Sequence, residues 1–250
     1  MNKENLIQSI FYPRKSSMPF DENDHLVDVG DNEKVGIRFY IKSKEAPNIL
    51  YFHANAEIAE EYDDFAKFYH HFGINLIVAG YRGYGHSTGS PSKENLHNDS
   101  VSIFDYVKNQ FKEDSLSGPL IIMGRSLGSS AAAHILSKKE DQIDGCIIES
   151  GFATEIPLLS LMNINPTDID FKLEDGFQNL DKFKNYKKPL LVIHAELDEI
   201  IPLSQADMIM IESGSNNKKL FKVEGAGHNN IISIAREHYF SKIRDFIESL

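Results

Sequence analysis

The sequence predicts an α/β domain: a mostly parallel central sheet flanked by helices, with a short cap inserted in the sheet order. Three observations predict it. Apolar runs of strand length recur at 48–54, 74–81, 119–124, 143–150 and 189–196, and their continuity is that of strands buried on both faces. Segments with helical patterning stand between them, as a parallel sheet requires. The chain has 250 residues, which suits one large α/β domain whose core needs no staples.

The elements follow in order. Residues 26–30 and 35–42 read as a hairpin-like strand pair ahead of the strand at 48–54. Residues 57–73 form a helix ending at Gly73, with acidic residues in its first turns as the macrodipole favours. Glu57, Glu60, Glu61, Asp63 and Asp64 then make a solvated helix face. After the strand at 74–81, residues 92–111 are helical, with Leu96, Val101, Phe104, Val107 and Phe111 at roughly helical spacing. The strand at 119–124 passes into a helix over 127–139, and 143–150 is again a strand. Residues 151–187 break the rhythm and read as a small cap, with an apolar cluster at Ile156, Leu158, Leu159, Leu161 and Met162 that either lines a shallow acyl groove or glues the cap to the sheet. Ile156, Leu159 and Met162 are the candidate substrate contacts. A strand at 189–196, a helix at 203–213, a strand at 219–225 and one long amphipathic helix over 230–250 complete the chain.

Composition narrows the function. The net charge of −11 repels phosphate backbones, so nucleic acid is not expected as a partner. No run of about 18 apolar residues exists, so no membrane span is expected. The first 17 residues hold no continuous apolar stretch, Asn2 excludes myristoylation, and the final Ile-Glu-Ser-Leu is no lipidation signal. The lone Cys146 lies in an apolar run and reads as a small core residue. A cytoplasmic protein is the expectation. No His-Glu-x-x-His and no cysteine–histidine cluster is present, so neither metal nor cofactor is expected.

The chemistry gathers at Gly124-Arg125-Ser126-Leu127-Gly128. This is G-x-S-x-G between a strand and a helix. In such an elbow the serine sits on a strained turn, and the flanking glycines let strand and helix approach. Backbone N–H groups at the helix start then face a developing anion. A serine here is also a common helix N-cap, so the partners decide. A nucleophilic serine needs a base and an orienting acid, following it in the order Asp or Glu, then His. His228 follows the last strand in a glycine-containing loop, and Asp198 follows the strand before it. Both lie beyond the carboxyl ends of strands, where open α/β sheets place sites. Glu149, Glu196 and Glu199 remain rivals to Asp198. Arg125 reads as a buried ion-pair partner, with Glu149 as the candidate mate, and His53 as a brace.

Four stretches together resemble one family: Tyr-Phe-His-Ala-Asn-Ala-Glu (51–57), Tyr-Arg-Gly-Tyr-Gly-His-Ser-Thr-Gly-Ser-Pro-Ser (81–92), Gly-Arg-Ser-Leu-Gly-Ser (124–129) and His-Ala-Glu-Leu-Asp-Glu-Ile-Ile-Pro (194–202), with Gly-Ala-Gly-His-Asn-Asn (225–230) as a base loop. Over residues 35–248 the chain resembles the α/β-hydrolase superfamily, in the branch that includes eukaryotic protein depalmitoylases and microbial hydrolases. The resemblance implies Ser126 as nucleophile, Asp198 as acid, His228 as base, and an oxyanion hole from the Leu127 and Asn55 backbone N–H groups. The branch usually carries glycine where this chain has Ala54 and Ala195. A positive φ at Ala54 would cost roughly 1–2 kcal/mol. The N-terminal segment also lacks the cysteines of the lipid-anchored members. The expected activity is ester or thioester cleavage through an acyl-enzyme, on a small-molecule substrate. An aminopeptidase-like serine peptidase of the same fold, or a non-catalytic binding module, are the alternatives.

Overall fold

A computed structural model of the protein describes residues 3–250. The described residues form one eight-stranded sheet: β1 (Asp24–Asp28), β2 (Lys34–Tyr40), β3 (Asn48–Phe52), β4 (Asn75–Ala79), β5 (Leu120–Arg125), β6 (Gly145–Glu149), β7 (Leu190–Ala195) and β8 (Lys218–Val223). The spatial order is β1-β2-β4-β3-β5-β6-β7-β8. β1 pairs antiparallel with β2 and β2 with β4, while every later pairing is parallel. This is the mostly parallel sheet that the apolar runs predict. Strands β3, β4, β6 and β7 are buried at every residue, which fits helices on both faces.

Alternate residues of each strand face two cores. Leu50, Phe52, Ile77, Ile122, Ile148 and Val192 pack under α3 (Lys93–Glu113), α4 (Gly128–Lys139), α6 (Asn179–Asn185) and α7 (Ser204–Glu212). Ile49, Tyr51, Leu76, Val78, Met123 and Ile147 pack under α2 (Asp63–His71) and α9 (Glu237–Ile247). A short helix, α1 (Lys3–Gln8), precedes β1; beyond it Ile10 and Phe11 join the first core. Among the described residues no helix is long and apolar enough to cross a membrane.

Three expectations need correction. The final helix is not continuous: α8 (Ile231–Ala235) and α9 are separated by Arg236, whose φ is 51°. That turn lets α8 bury Ile231 while α9 lays Tyr239, Phe240, Ile243 and Phe246 on the sheet. Glycine or proline would have signalled the break, and neither is present. The helix read over 57–73 is a 3-10 turn at Ala59–Tyr62 followed by α2. Its acidic residues are not a uniformly solvated face. Glu60 is buried and accepts the His86 N–H, Glu61 pairs with Arg14, and Asp63 with Arg38.

Residues 151–187 contain α5 (Ile156–Leu161), 3-10 turns at Pro166–Ile169 and Leu173–Asp175, and then α6. α6 packs on α4 as part of the helical layer.

Candidate active site

Strand β5 ends at Arg125 and α4 begins at Gly128, so Ser126 occupies the tightest part of the junction. Its φ is 50°, a left-handed conformation that a serine adopts only when its surroundings enforce it. The glycines explain the enforcement. A Cβ on Gly128 would lie 2.0 Å from the Phe52 carbonyl oxygen, and one on Gly124 would lie 2.3 Å from the Gly128 carbonyl oxygen. Strand β3, strand β5 and α4 therefore meet at a distance only glycine permits. The Ser126 N–H donates to the Glu149 carbonyl at 2.9 Å, fixing the turn to β6.

The side chains named from chain order come together at this turn. His228 Nε2 lies 3.1 Å from Ser126 Oγ. His228 Nδ1 lies 2.9 and 2.8 Å from the two carboxylate oxygens of Asp198. A carboxylate only accepts, so Nδ1 carries the proton and Nε2 is free to accept from the serine hydroxyl. Asp198 Oδ1 also accepts the Ile200 and Ile201 N–H groups, at 3.1 and 2.7 Å. Burial alone would raise the Asp198 carboxyl; the hydrogen bond and charge of His228 and the Ile201 N–H outweigh it and hold it below the usual range. Behind it His194 is fully buried, and its Nε2 donates to the Ile201 carbonyl at 2.8 Å.

Glu149, the principal rival acid, is placed differently. It is buried, accepts the Tyr239 hydroxyl at 2.5 Å and lies 3.3 Å from the Arg125 guanidinium. Burial pushes its carboxyl up, against the opposing pull of Arg125 and Tyr239. Glu196 pairs with Lys222, and Glu199 accepts the His228 backbone N–H. None of these three meets the His228 ring.

Arg125 does more than the expected pairing with Glu149. It donates to Glu57, to the His228 carbonyl at 3.0 Å and to Asn229 Oδ1 at 3.1 Å. Glu57 in turn accepts the Ala54 N–H at 2.9 Å and the Tyr62 hydroxyl at 2.5 Å. Burial opposes ionisation of Glu57, but Arg125, Tyr62 and the Ala54 N–H prevail and lower its pKa.

The loop after β3 carries the second implied oxyanion donor. Neither the Leu127 nor the Asn55 backbone N–H has an acceptor among the described residues. The Asn55 side chain is fully engaged: it accepts the Tyr84 hydroxyl at 2.6 Å and the Tyr12 N–H at 3.0 Å, and donates to the Ile10 carbonyl at 2.6 Å. His53 Nδ1 donates to the Ala54 carbonyl at 2.8 Å, and the His53 carbonyl accepts the Tyr81 hydroxyl at 2.6 Å. Ala54 does not have a positive φ; the left-handed residue of this loop is Ala56, at 61°. The expected strain at Ala54 is therefore absent, because the loop turns two residues later.

A cavity of about 340 Å³ opens at Ser126 and His228. Its apolar wall includes Ile10, Phe152, Leu158, Leu161, Met162 and Ile200. Of the three candidate contacts, Met162 lines this cavity, Leu159 is fully buried, and Ile156 is exposed outside it. Ile10 and Tyr12, which reach the wall from the N-terminal segment, are not legible from sequence, since their tie to Asn55 spans over 40 residues.

Comparisons agree with this architecture. A family model described as serine aminopeptidase, S33, matches residues 43–165. Protein bem46 of Schizosaccharomyces pombe is 28% identical over 243 residues, 94% of this chain and 79% of that protein. The lysophosphatidylserine lipase ABHD12 of Xenopus tropicalis is 30% identical over 182 residues, 65% of this chain but only 45% of that protein. Among solved structures, the Pyrococcus furiosus esterase Pf2001 superposes with a TM-score of 0.75 at 19% identity, over 95% of this chain and 96% of that one, a likeness of fold. The fold and these relatives define an α/β-hydrolase. The chain belongs to the α/β-hydrolase superfamily.

Proposed function

We propose that the protein is a serine hydrolase that cleaves carboxylic ester or thioester bonds of small molecules through an acyl-enzyme. The observation that carries this is the continuous line Ser126–His228–Asp198 at the mouth of an apolar cavity. His228 Nε2 takes the Ser126 hydroxyl proton as Oγ attacks the acyl carbon. Asp198 keeps the imidazole in the Nδ1–H tautomer and stabilises its cation. The Leu127 and Asn55 N–H groups, lacking partners among the described residues, receive the oxyanion. The imidazolium then protonates the leaving alcohol or thiol, and water repeats the cycle on the acyl-enzyme.

The family model's description favours a second reading, a serine peptidase that recognises a free amine. Glu57 is the carboxylate nearest that role in the cavity wall, but Arg125, Tyr62 and the Ala54 N–H already occupy it. An incoming amine would have to displace Arg125, so the ester reading is preferred. A cytoplasmic location belongs to the same proposal and is supported by the single, buried Cys146.

The test is labelling by a fluorophosphonate, followed by p-nitrophenyl esters, acyl thioesters and aminoacyl p-nitroanilides. Labelling lost in Ser126→Ala, with ester turnover exceeding anilide turnover, supports the proposal. Faster anilide cleavage selects the peptidase, and absence of labelling a binding module.

A further inference from the structure

Helices α3 and α4 and the chain from Gly176 to Lys182 border a second, open cavity of about 250 Å³. It shares no lining residue with the cavity at Ser126. Its walls hold three lysines (Lys93, Lys138, Lys182) and two histidines (His97, His134), and no carboxylate. In a chain of net charge −11, such a concentration of basic groups stands apart.

Some lysines of the chain have carboxylate partners and others have none. Lys67, Lys139, Lys184 and Lys222 are each paired with a carboxylate. Among the described residues, none of Lys93, Lys138 and Lys182 is. Lys93 Nζ donates to the Asp175 backbone carbonyl at 3.0 Å. Lys182 Nζ donates to the Phe177 carbonyl at 2.6 Å and to His97 Nε2 at 3.0 Å. An ammonium has three donors and carries a full charge, which carbonyl and imidazole acceptors do not neutralise. The carboxylate whose charge reaches Lys182 is Glu155. It is buried behind Gly176 and Phe177, and accepts the Phe177 N–H.

The imidazoles repeat the pattern. His97 and His134 stack in parallel, with ring centroids 4.4 Å apart and planes 7° apart. His134 Nδ1 is buried without a hydrogen-bond partner among the described residues. Burial and the crowding of like charges push Lys182 down to about 7 and His134 to about 4. A bound anion would offset both effects.

We propose that this cavity binds the phosphate group of a phosphate ester, held by Lys93, Lys138 and Lys182, with His134 in the wall beside them. A tetrahedral anion offers several acceptors to separate point-charge donors, which suits lysines converging from three elements. A wider cleft of about 820 Å³ shares Lys93, His97 and His134 with the cavity and leaves room for the organic remainder. Glu94, Glu174 and Asp175 line that cleft and repel a second phosphate there, so the ligand carries one.

Calorimetric titration of the full chain at fixed ionic strength tests the site. The probes are inorganic phosphate, glycerol 3-phosphate and glycerophosphoethanolamine, with chloride and acetate as controls. The expected result is binding of inorganic phosphate with a Kd on the order of 1 mM or tighter. Lys182→Met should weaken it at least tenfold. Lys138→Met, at an exposed position, and His134→Asn, at a half-buried one, should each weaken it several-fold, and they keep the test alive if Lys182→Met fails to fold. Glycerol 3-phosphate bound without the diester assigns a phosphomonoester or free phosphate as the natural source; equal binding of glycerophosphoethanolamine assigns a lipid headgroup. Phosphate heats no larger than the chloride control, or an affinity unchanged in both Lys138→Met and His134→Asn, would overturn the proposal.

Discussion

Arg125 and Glu57 form an ion pair that ties together three loops of the candidate active site. Through Arg125 the pair holds the His228 carbonyl and Asn229, and through Glu57 it holds the Ala54 N–H ahead of Asn55. The loops that carry His228, Ser126 and Asn55 therefore share one fixed point. Glu57→Gln and Arg125→Lys keep most of the volume but loosen that point. A displacement of about 1 Å at reacting atoms costs on the order of 100-fold in rate. Each variant should lower kcat by roughly 10- to 100-fold with KM within about threefold. The double variant should lose little more than the worse single one, because both remove the same link. Steady-state kinetics on a p-nitrophenyl ester decide it; additive losses would show two independent roles.

The identity of the acid yields a sharper contrast. Asp198 meets the His228 ring, whereas Glu149 meets Tyr239 and Arg125. Asp198→Asn should cost about 10⁴-fold in kcat, since the amide favours the wrong imidazole tautomer. Glu149→Gln should cost less than about tenfold, acting only through the position of Arg125. The reverse ranking would move the acid to Glu149.

The positive φ of the loop after β3 falls at Ala56, not at Ala54. Only Ala56 has a positive φ, so glycine relieves strain there and not at Ala54. Ala56→Gly should be neutral or mildly stabilising. Ala54→Gly should lower stability by about 0.5–1 kcal/mol through chain entropy, with kcat unchanged. Urea denaturation measures both, and a rise in kcat in Ala54→Gly would restore the strain argument.

These cases mark how far the sequence could be read. The parallel strands were legible because residues buried on two faces leave uninterrupted apolar runs. Ser126 was legible because Gly124 and Gly128 are needed where β3, β5 and α4 nearly touch. What stayed hidden depends on partners distant in the chain. Glu60 looks like a surface residue until the backbone of Gly85 and His86 arrives over it. Ile10 and Tyr12 reach the cavity wall only because Asn55 holds that segment. The turn at Arg236 leaves no local signal, since its helical pattern is apolar on both sides.

The stacked histidines make stability depend on pH. Their usual value is 6.5, and the folded chain holds His134 near about 4 and His97 near about 2. Burial is the larger cause for both, followed by Lys182. Below pH 6.5 the unfolded chain takes up protons that the native state refuses, so stability falls as pH drops from about 6.5 toward 4. Each histidine kept neutral adds up to about 1.4 kcal/mol per pH unit to that slope. His25, His53 and His194 are shifted the same way, so the comparison must be with a variant. In phosphate-free buffer, His134→Asn should lose less stability between pH 7.5 and 5 than the unsubstituted protein does. Equal losses would mean that His134 titrates freely in the fold.

The shape of the cavity at Ser126 sets the acyl preference. Its volume of about 340 Å³ is at the low end for small-molecule sites. The segment after β6 supplies Leu158, Leu161 and Met162 to the wall, and Leu161 is 53% exposed. Such a wall covers the first carbons of an acyl chain and then opens to water. Each methylene buried is worth about 0.8 kcal/mol, or roughly fourfold in kcat/KM. For p-nitrophenyl esters the gain should therefore accumulate to about four to eight carbons and then stop. Leu161→Ala should flatten the profile at its long end while leaving the acetate nearly unchanged. The net charge of −11 adds a second selection: acyl-CoA thioesters should be poorer than neutral thioesters of the same acyl group, most of all at low salt. A profile still climbing at sixteen carbons would require an enclosed tunnel, which a wall with a half-exposed Leu161 does not provide.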